Sequence, residues 1–229
     1  MAESLFFNPK LLRFYRETFG SRLNVVIDVG ANLGQTIDLV MKVNPDCEVY
    51  ALEPNPKLFK RLEQKYAHKK NIRLFRLGIS DVNGTRHFHE NVLHSTSSLE
   101  ELNYESEYLK KKSKFLGVAP KKIIAGSYPI EVMKLSDFIA AHISKDHIDL
   151  VKIDTEGHEY SCLAGLFSGP GKYPQYIQFE NHNDDMYKSN KSFAEIESIL
   201  LQNGYALKRK IRHGFGDFDE MIYQKADIR

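Results

Sequence analysis

An α/β fold on a mostly parallel sheet is predicted by three observations. Apolar, β-branched runs alternate with amphipathic segments along the chain. The first such run, Asn24 to Val29, turns through Gly30 and Gly34 into a helix. Several runs also deliver an acidic residue to their carboxyl end: Asp28, Glu53, Asp154 and Glu180. With 229 residues, 42% of them hydrophobic, the chain can bury a sizeable core. It reads as one domain over 1–229, with an N-terminal amphipathic helix at 1–22 and an insertion or lid at 91–128.

The elements follow in order. Leu5, Phe6, Phe7, Leu11, Leu12 and Phe14, interrupted by Lys10, Arg13, Arg16 and Glu17, make an amphipathic helix rather than a signal peptide. Packing on its own domain is the preferred reading, with peripheral membrane contact as the alternative. After the first strand, Thr36 to Val43 reads as a helix stopped by Asn44-Pro45. Glu48 to Leu52 is the second strand. Pro56 to Tyr66 is a helix with Leu58, Phe59 and Leu62 on one face. Ile72 to Ile79 is a third strand, and the turn Asp81-Val82-Asn83-Gly84 is expected to close a hairpin with Thr85 to Glu90. The stretch from Asn91 to Tyr128 breaks the rhythm with Ser95-Thr96-Ser97-Ser98 and Lys110-Lys111-Lys112. Its lysines favour a solvated surface insertion, while a lid over the site is the functional alternative. Ile130 to Val132 and Leu135 to Ile139 lead into a strand at Ile148 to Ile153, a further strand is expected at Gln175 to Phe179, and a helix at Phe193 to Asn203. Ala206–Ile211 and Glu220–Gln224 close the chain as an antiparallel hairpin around Gly214-Phe215-Gly216.

Ligands of open α/β sheets bind beyond the carboxyl ends of the strands. The first loop reads D-x-G-x-N-x-G, not the G-x-G-x-x-G that faces a pyrophosphate. Gly30 permits the sharp turn, and Gly34 is expected to let the loop approach a ligand. Asp28 repels a pyrophosphate and welcomes an ammonium or sulfonium group, which points to S-adenosylmethionine rather than NAD. Glu53, about 20 residues past the loop, is placed for the two ribose hydroxyls, a better account than a helix-terminal charge before Pro54. Ser80 and Asp81 are candidates for the adenine edge, with a turn-forming role for Asp81 equally good.

Asp154-Thr155-Glu156-Gly157-His158-Glu159 and Glu180-Asn181-His182 place carboxylates and imidazoles at two neighbouring strand ends. A helix beginning near Glu156, capped by Asp154 or Thr155, is the competing reading. Methyl transfer to an alcohol needs a proton removed as the bond forms, and a positioned His or carboxylate typically contributes ~10²–10⁴-fold. His158 or His182 is the expected base, with Asp154 orienting it or holding the acceptor. A divalent cation such as Mg²⁺ on these carboxylates is an alternative, not strongly indicated. Neither an H-x-x-x-H pattern nor a Cys cluster is present, which argues against zinc. A net charge of +2 and a single short lysine run carry no nucleic-acid signature. Cys47 and Cys162 show no C-x-x-C spacing, and no apolar run approaches ~20 residues, so a cytoplasmic protein is expected.

The blocks Asp28-Val29-Gly30-Ala31-Asn32-Leu33-Gly34-Gln35, Glu53-Pro54, Ser97-Ser98-Leu99, Lys152-Ile153-Asp154-Thr155-Glu156-Gly157-His158-Glu159 and Phe179-Glu180 resemble FkbM-type methyltransferases, in that family's order. The glycine loop is shared by many class I methyltransferases, and the K-I-D-T-E-G-H-E block narrows the resemblance. It implies a Rossmann-like, doubly wound class I fold, with a mostly parallel seven-stranded sheet ending in an antiparallel hairpin. It also implies S-adenosylmethionine-dependent O-methylation of sugars and other hydroxyl-bearing metabolites. By position, Asp28, Gly30, Asn32, Gly34, Gln35 and Glu53 would bind the cofactor, and Asp154, Glu156, His158, Glu180 and His182 would line the acceptor side. A saccharide or glycolipid precursor is the leading acceptor. The alternatives are a polyketide, lipid or protein hydroxyl, an NAD-dependent oxidoreductase, and a binding module without catalysis.

Overall fold

A computed structural model describes residues 2–91, 97–117, 119, 123–182, 185–188, 191–212 and 218–226, with side chains from residue 8 onward except at 112, 115, 116 and 182. Helix α1 spans Ala2–Thr18, and a single 3₁₀ turn follows at Gly20–Arg22. The elements β1 (Val25–Val29), α2 (Gln35–Val43), β2 (Glu48–Leu52), α3 (Pro56–Tyr66) and β3 (Ile72–Phe75) form a continuous right half of alternating strands and helices. After β4 (Gly78–Ser80), β5 (Gly84–Asn91), α4 (Glu107–Leu116) and β6 (Ile124–Lys134), the alternation resumes. It continues as α5 (Leu135–His142), β7 (Leu150–Ile153), α6 (Glu159–Phe167), β8 (Tyr176–His182), α7 (Phe193–Gln202), β9 (Tyr205–Arg212) and β10 (Phe218–Lys225).

The seven-stranded sheet has the order β3-β2-β1-β7-β8-β10-β9. β1 pairs in parallel with β2 and β7, whereas β10 runs antiparallel to both β8 and β9. This is the expected doubly wound sheet with its terminal hairpin. Every residue of β1 is buried, because helices cover both faces. On one face Val25, Ile27, Val151, Ile153 and Phe179 pack beneath Phe138, Leu163 and Leu200 of α5, α6 and α7. On the other, Val26, Val49, Leu150 and Ile222 pack beneath Ile37 and Val40 of α2 and Leu11, Phe14 and Tyr15 of α1. Leu11, Phe14 and Tyr15 of α1 therefore belong to the core of their own chain. No helix among the described residues is long and apolar enough to cross a membrane.

Three expectations change. The run Ile72 to Ile79 is two strands, with β3 on the large sheet and β4 in a separate three-stranded sheet of order β4-β6-β5. Gly78 enables the departure: an added Cβ would lie 3.0 Å from Ile130 and 3.1 Å from Val132. The turn at Asp81–Gly84 closes no hairpin, because β6 lies between β4 and β5 and pairs Val132 with both Gly78 and Gly84. Local turn chemistry predicted adjacency, and a strand some fifty residues later took the place. The stretch after Asn91 is also more than a solvated insertion. Lys110, Lys111 and Lys114 are exposed, but Leu102, Leu109 and Ile123 are buried with Met186 and Tyr187 in a small apolar cluster of their own. Ser95, Thr96, Lys121, Lys122 and Gly214-Phe215-Gly216 lie outside the described residues.

Candidate active site

The site starts from the loop between β1 and α2. Gly30, Asn32 and Gly34 take left-handed backbone angles, with φ of 80°, 50° and 82°. At Gly30 a Cβ would lie 1.9 Å from the Asp154 carbonyl oxygen, so only glycine lets the loop lie against the end of β7. At Gly34 the space is taken by the chain itself. A Cβ would lie 2.3 Å from the Tyr66 hydroxyl, which donates to the Gly34 carbonyl at 2.9 Å and to Asp38 at 2.8 Å. Close approach at Gly34 thus serves α3, a correction to the expected approach of a ligand. Gln35 opens α2 with its side chain exposed.

The loop amides point inward. Gly30 and Ala31 N–H both donate to Leu52 O at 3.0 Å, Gly34 N–H donates to Ala31 O at 2.7 Å, and Asn32 N–H donates to Glu53 Oε2 at 2.8 Å. These four loop amides are occupied within the chain and do not turn outward as a Gly-rich pyrophosphate cradle would. Glu53 is buried, and its Oε1 accepts from Asn55 N–H at 2.8 Å. Each of its oxygens keeps one further acceptor position, the requirement for holding a pair of vicinal hydroxyls. Burial pushes its pKa up to about 7, against the lowering effect of those two backbone bonds. Asp28 is 1% exposed, and neither carboxylate oxygen makes a hydrogen bond of good geometry. Burial pushes this carboxyl up to about 7 as well, with Lys152 and, more weakly, Thr36 opposing the rise. A buried, under-satisfied carboxylate below a glycine loop fits a ligand that brings positive charge.

Across the loop, one oxygen each from Asp154, Glu156 and Glu180 lie within 4.8 Å of one another. These hard acceptors suit the hydroxyls of an acceptor and are also the donor type a divalent cation takes. Asp154 follows β7 and Glu180 lies in β8, so adjacent strands bring them together. Glu156 arrives through a left-handed backbone, φ 56°, and accepts a hydrogen bond from the Tyr187 hydroxyl at 3.3 Å. The Tyr187 ring covers Gly157, where a Cβ would lie 2.7 Å from it. Burial chiefly, then Asp154, Glu220 and Glu156, raise the Glu180 pKa well above its ordinary value, against Lys152.

Other expected residues stand apart from this set. His158 is buried, with Nδ1 2.6 Å from Glu100 Oε1 and Nε2 3.0 Å from the Ser80 hydroxyl. Both ring nitrogens are engaged inside the protein, so His158 braces the fold and presents no nitrogen to an acceptor. Ser80 is fully buried between His158 and Asp81, at 2.9 Å from the latter, and Asp81 pairs with Arg86 at 3.0 Å. These contacts tie Ser80 and Asp81 to β5 and α6 and support the turn-forming role of Asp81. His182 lies in β8 by its backbone, but its side chain is outside the described residues. The helix expected near Glu156 begins at Glu159, so Asp154 and Thr155 are not its caps. Glu159 instead reaches back, accepting from Thr155 N–H at 2.9 Å and Gly157 N–H at 3.3 Å to shape the loop that carries Glu156.

Sequence reading assigned no role to Lys152, Gln178, Glu220 or Tyr15. All are buried on the α1 face of the sheet. The Lys152 ammonium donates to Asp154 Oδ2 at 2.5 Å. The Tyr15 hydroxyl donates to Gln178 Oε1 at 2.7 Å, and the Gln178 amide donates to Glu220. The available signal was a lysine within an otherwise apolar buried strand.

Known proteins share the sequence pattern or the fold of this chain. A model of the methyltransferase FkbM domain matches residues 28–207. The 2-O-methyltransferase NoeI of Sinorhizobium fredii is 24% identical over 176 residues, covering 77% of this chain and 70% of that protein. The 31-O-demethyl-FK506 methyltransferase FkbM of Streptomyces tacrolimicus is 25% identical over 217 residues, covering 84% and 81%. Among solved structures, magnesium protoporphyrin IX methyltransferase from Synechocystis with bound S-adenosylmethionine superposes with a TM-score of 0.57 at 10% identity, covering 98% of this chain and 81% of that one. At that identity the likeness is one of fold.

Proposed function

The chain belongs to the FkbM methyltransferase family and is an S-adenosylmethionine-dependent methyltransferase, and on that premise we propose that it methylates a hydroxyl of a saccharide or glycolipid precursor. The observation that carries this reading is the convergence of Asp154, Glu156 and Glu180 beside the glycine loop. Several acceptor oxygens in one small volume suit a substrate with several neighbouring hydroxyls.

When bound, S-adenosylmethionine supplies an electrophilic methyl group on a cationic sulfur. The residues fit it: Asp28 offers a buried negative charge, Glu53 two open acceptor positions, and Gly30, Asn32 and Gly34 the loop that joins them. Asp154 belongs to both halves of the site, because its backbone backs the loop and its side chain joins the acceptor cluster. Glu180 is the proposed base. Its raised proton affinity makes it stronger than an ordinary carboxylate for taking the hydroxyl proton as oxygen attacks the methyl carbon. Glu156 and Asp154 then hold the alcohol in line, where orientation supplies much of the acceleration.

The 25% identity to the 31-O-demethyl-FK506 methyltransferase FkbM favours a second acceptor class, a polyketide hydroxyl. A screen with methyl-labelled donor against oligosaccharides, glycolipids, macrolides and hydroxylated lipids, each with Mg²⁺ or EDTA, separates these readings. Label on saccharides is expected, with Glu180→Gln lowering turnover at least ~10²-fold and leaving S-adenosylhomocysteine affinity within about twofold. Label confined to macrolides would replace the acceptor class, and undiminished turnover in Glu180→Gln would end the base assignment.

A further inference from the structure

Lys152 is the one buried Lys or Arg among the described residues, 6% exposed on the face of the sheet that α1 covers. Asp28 is its register partner on β1 and Gln178 its partner on β8. Its ammonium touches Asp154 at 2.5 Å. Asp28 and Glu220 also act on it electrostatically and, with Asp154, more than offset the cost of burying its charge. Glu180 and Glu156 complete the carboxylates of this region, and the Tyr15 hydroxyl faces it from α1. One fixed cation therefore stands among the carboxylates of Asp28, Asp154, Glu156, Glu180 and Glu220.

The donor and product of this enzyme differ at sulfur by a methyl group and one positive charge. The sulfonium charge disappears as the methyl group leaves. An uncompensated carboxylate cluster would hold the charged ground state more strongly than the transition state, which tightens binding and slows the chemistry. We propose that Lys152 sets the discrimination between the sulfonium donor and its thioether product, by offsetting part of the carboxylate field at Asp154 and Asp28. The proposal rests on the cofactor placement above, because Asp154 joins the glycine loop to the acceptor cluster. Lys152 acts through these carboxylates and is a positioning and specificity residue.

Calorimetric titration with S-adenosylmethionine and S-adenosylhomocysteine at pH 8.5 tests this directly. The readout is the ratio of the two dissociation constants. Lys152→Met is expected to shift it toward the donor by roughly tenfold, the scale of one charge removed near the sulfur in a partly screened interior. Lys152→Arg keeps the charge and should keep the ratio. Glu220→Gln removes a neighbouring negative charge and should move the ratio the opposite way, which decides the matter if Lys152→Met does not fold. A purely structural lysine would weaken both ligands alike, so an unchanged ratio in the folded variants overturns the proposal. Failure of the unsubstituted protein to bind either ligand would instead overturn the cofactor placement.

Discussion

Asp28 shows the conflict that the proposed site for a charged ligand builds into a single residue. Its carboxyl is raised from an ordinary 3.8 to about 7, chiefly by burial, so the folded protein holds this proton over a range where the unfolded chain has lost it. The stability tied to that proton is present below about 4 and declines as pH rises toward 7. Asp28→Asn removes the charge that must be buried. At pH 8 it should raise Tm by several degrees, with a smaller gain at pH 5.5, while S-adenosylmethionine affinity falls at least ~10-fold. Scanning calorimetry at the two pH values checks the sign; a variant that melts lower at pH 8 would show that Asp28 supports the fold. Asp28, Glu53, Asp154 and Glu180 were legible in sequence because each ends or nearly ends an apolar run, with Gly30 and Pro54 close behind the first two. Lys152, Gln178, Glu220 and Tyr15 were not, since their meeting depends on register across non-consecutive strands and on the seat of α1. His158 misled for a related reason: its spacing placed it near the cleft, and its rotation toward Glu100 is set by tertiary packing.

Among the elements, the segment carrying Leu102 and α4 is the most separable. It is joined to the 185–188 strip by the Leu102–Tyr187 bridge and by Asn103 N–H donating to Met186 O at 2.7 Å. Ser106 caps α4, accepting from Leu109 N–H at 3.1 Å and donating to Asp185 at 2.5 Å. Ser106→Ala should cost about 1 kcal/mol locally. Because this cluster is distinct from the two that cover the sheet, amide exchange should rise in 107–117 and 185–188 while the central strands keep their protection. Exchange that rises equally in β1 and β7 would show one cooperative unit. The start of the helix Pro56–Tyr66 was read to the residue because Pro56 opens it and Asn55 accepts from Lys57 and Leu58 N–H. The small sheet was misread because its central strand comes last.

At the scale of the molecule, the mostly parallel seven-stranded sheet and its terminal hairpin followed from alternation plus the family resemblance, whereas the polar seam across the sheet did not. That seam ties α1 to strands from the far end of the chain. Tyr15→Phe leaves the buried Gln178 carbonyl without its donor and should cost about 1–3 kcal/mol, read as a lower midpoint in urea. An unchanged midpoint would mean that the seam is not coupled to global stability. The seam also closes late. β10 inserts between β8 and β9, and it carries Glu220, the acceptor for Gln178. A ribosome therefore delivers Asp28, Glu53, Asp154 and Glu180 well before the strand that completes their support. Until β10 is made, β8 remains a bare sheet edge and Gln178 lacks its Glu220 acceptor. A chain halted before residue 218 is therefore expected to be cleaved by proteases faster than the full-length one.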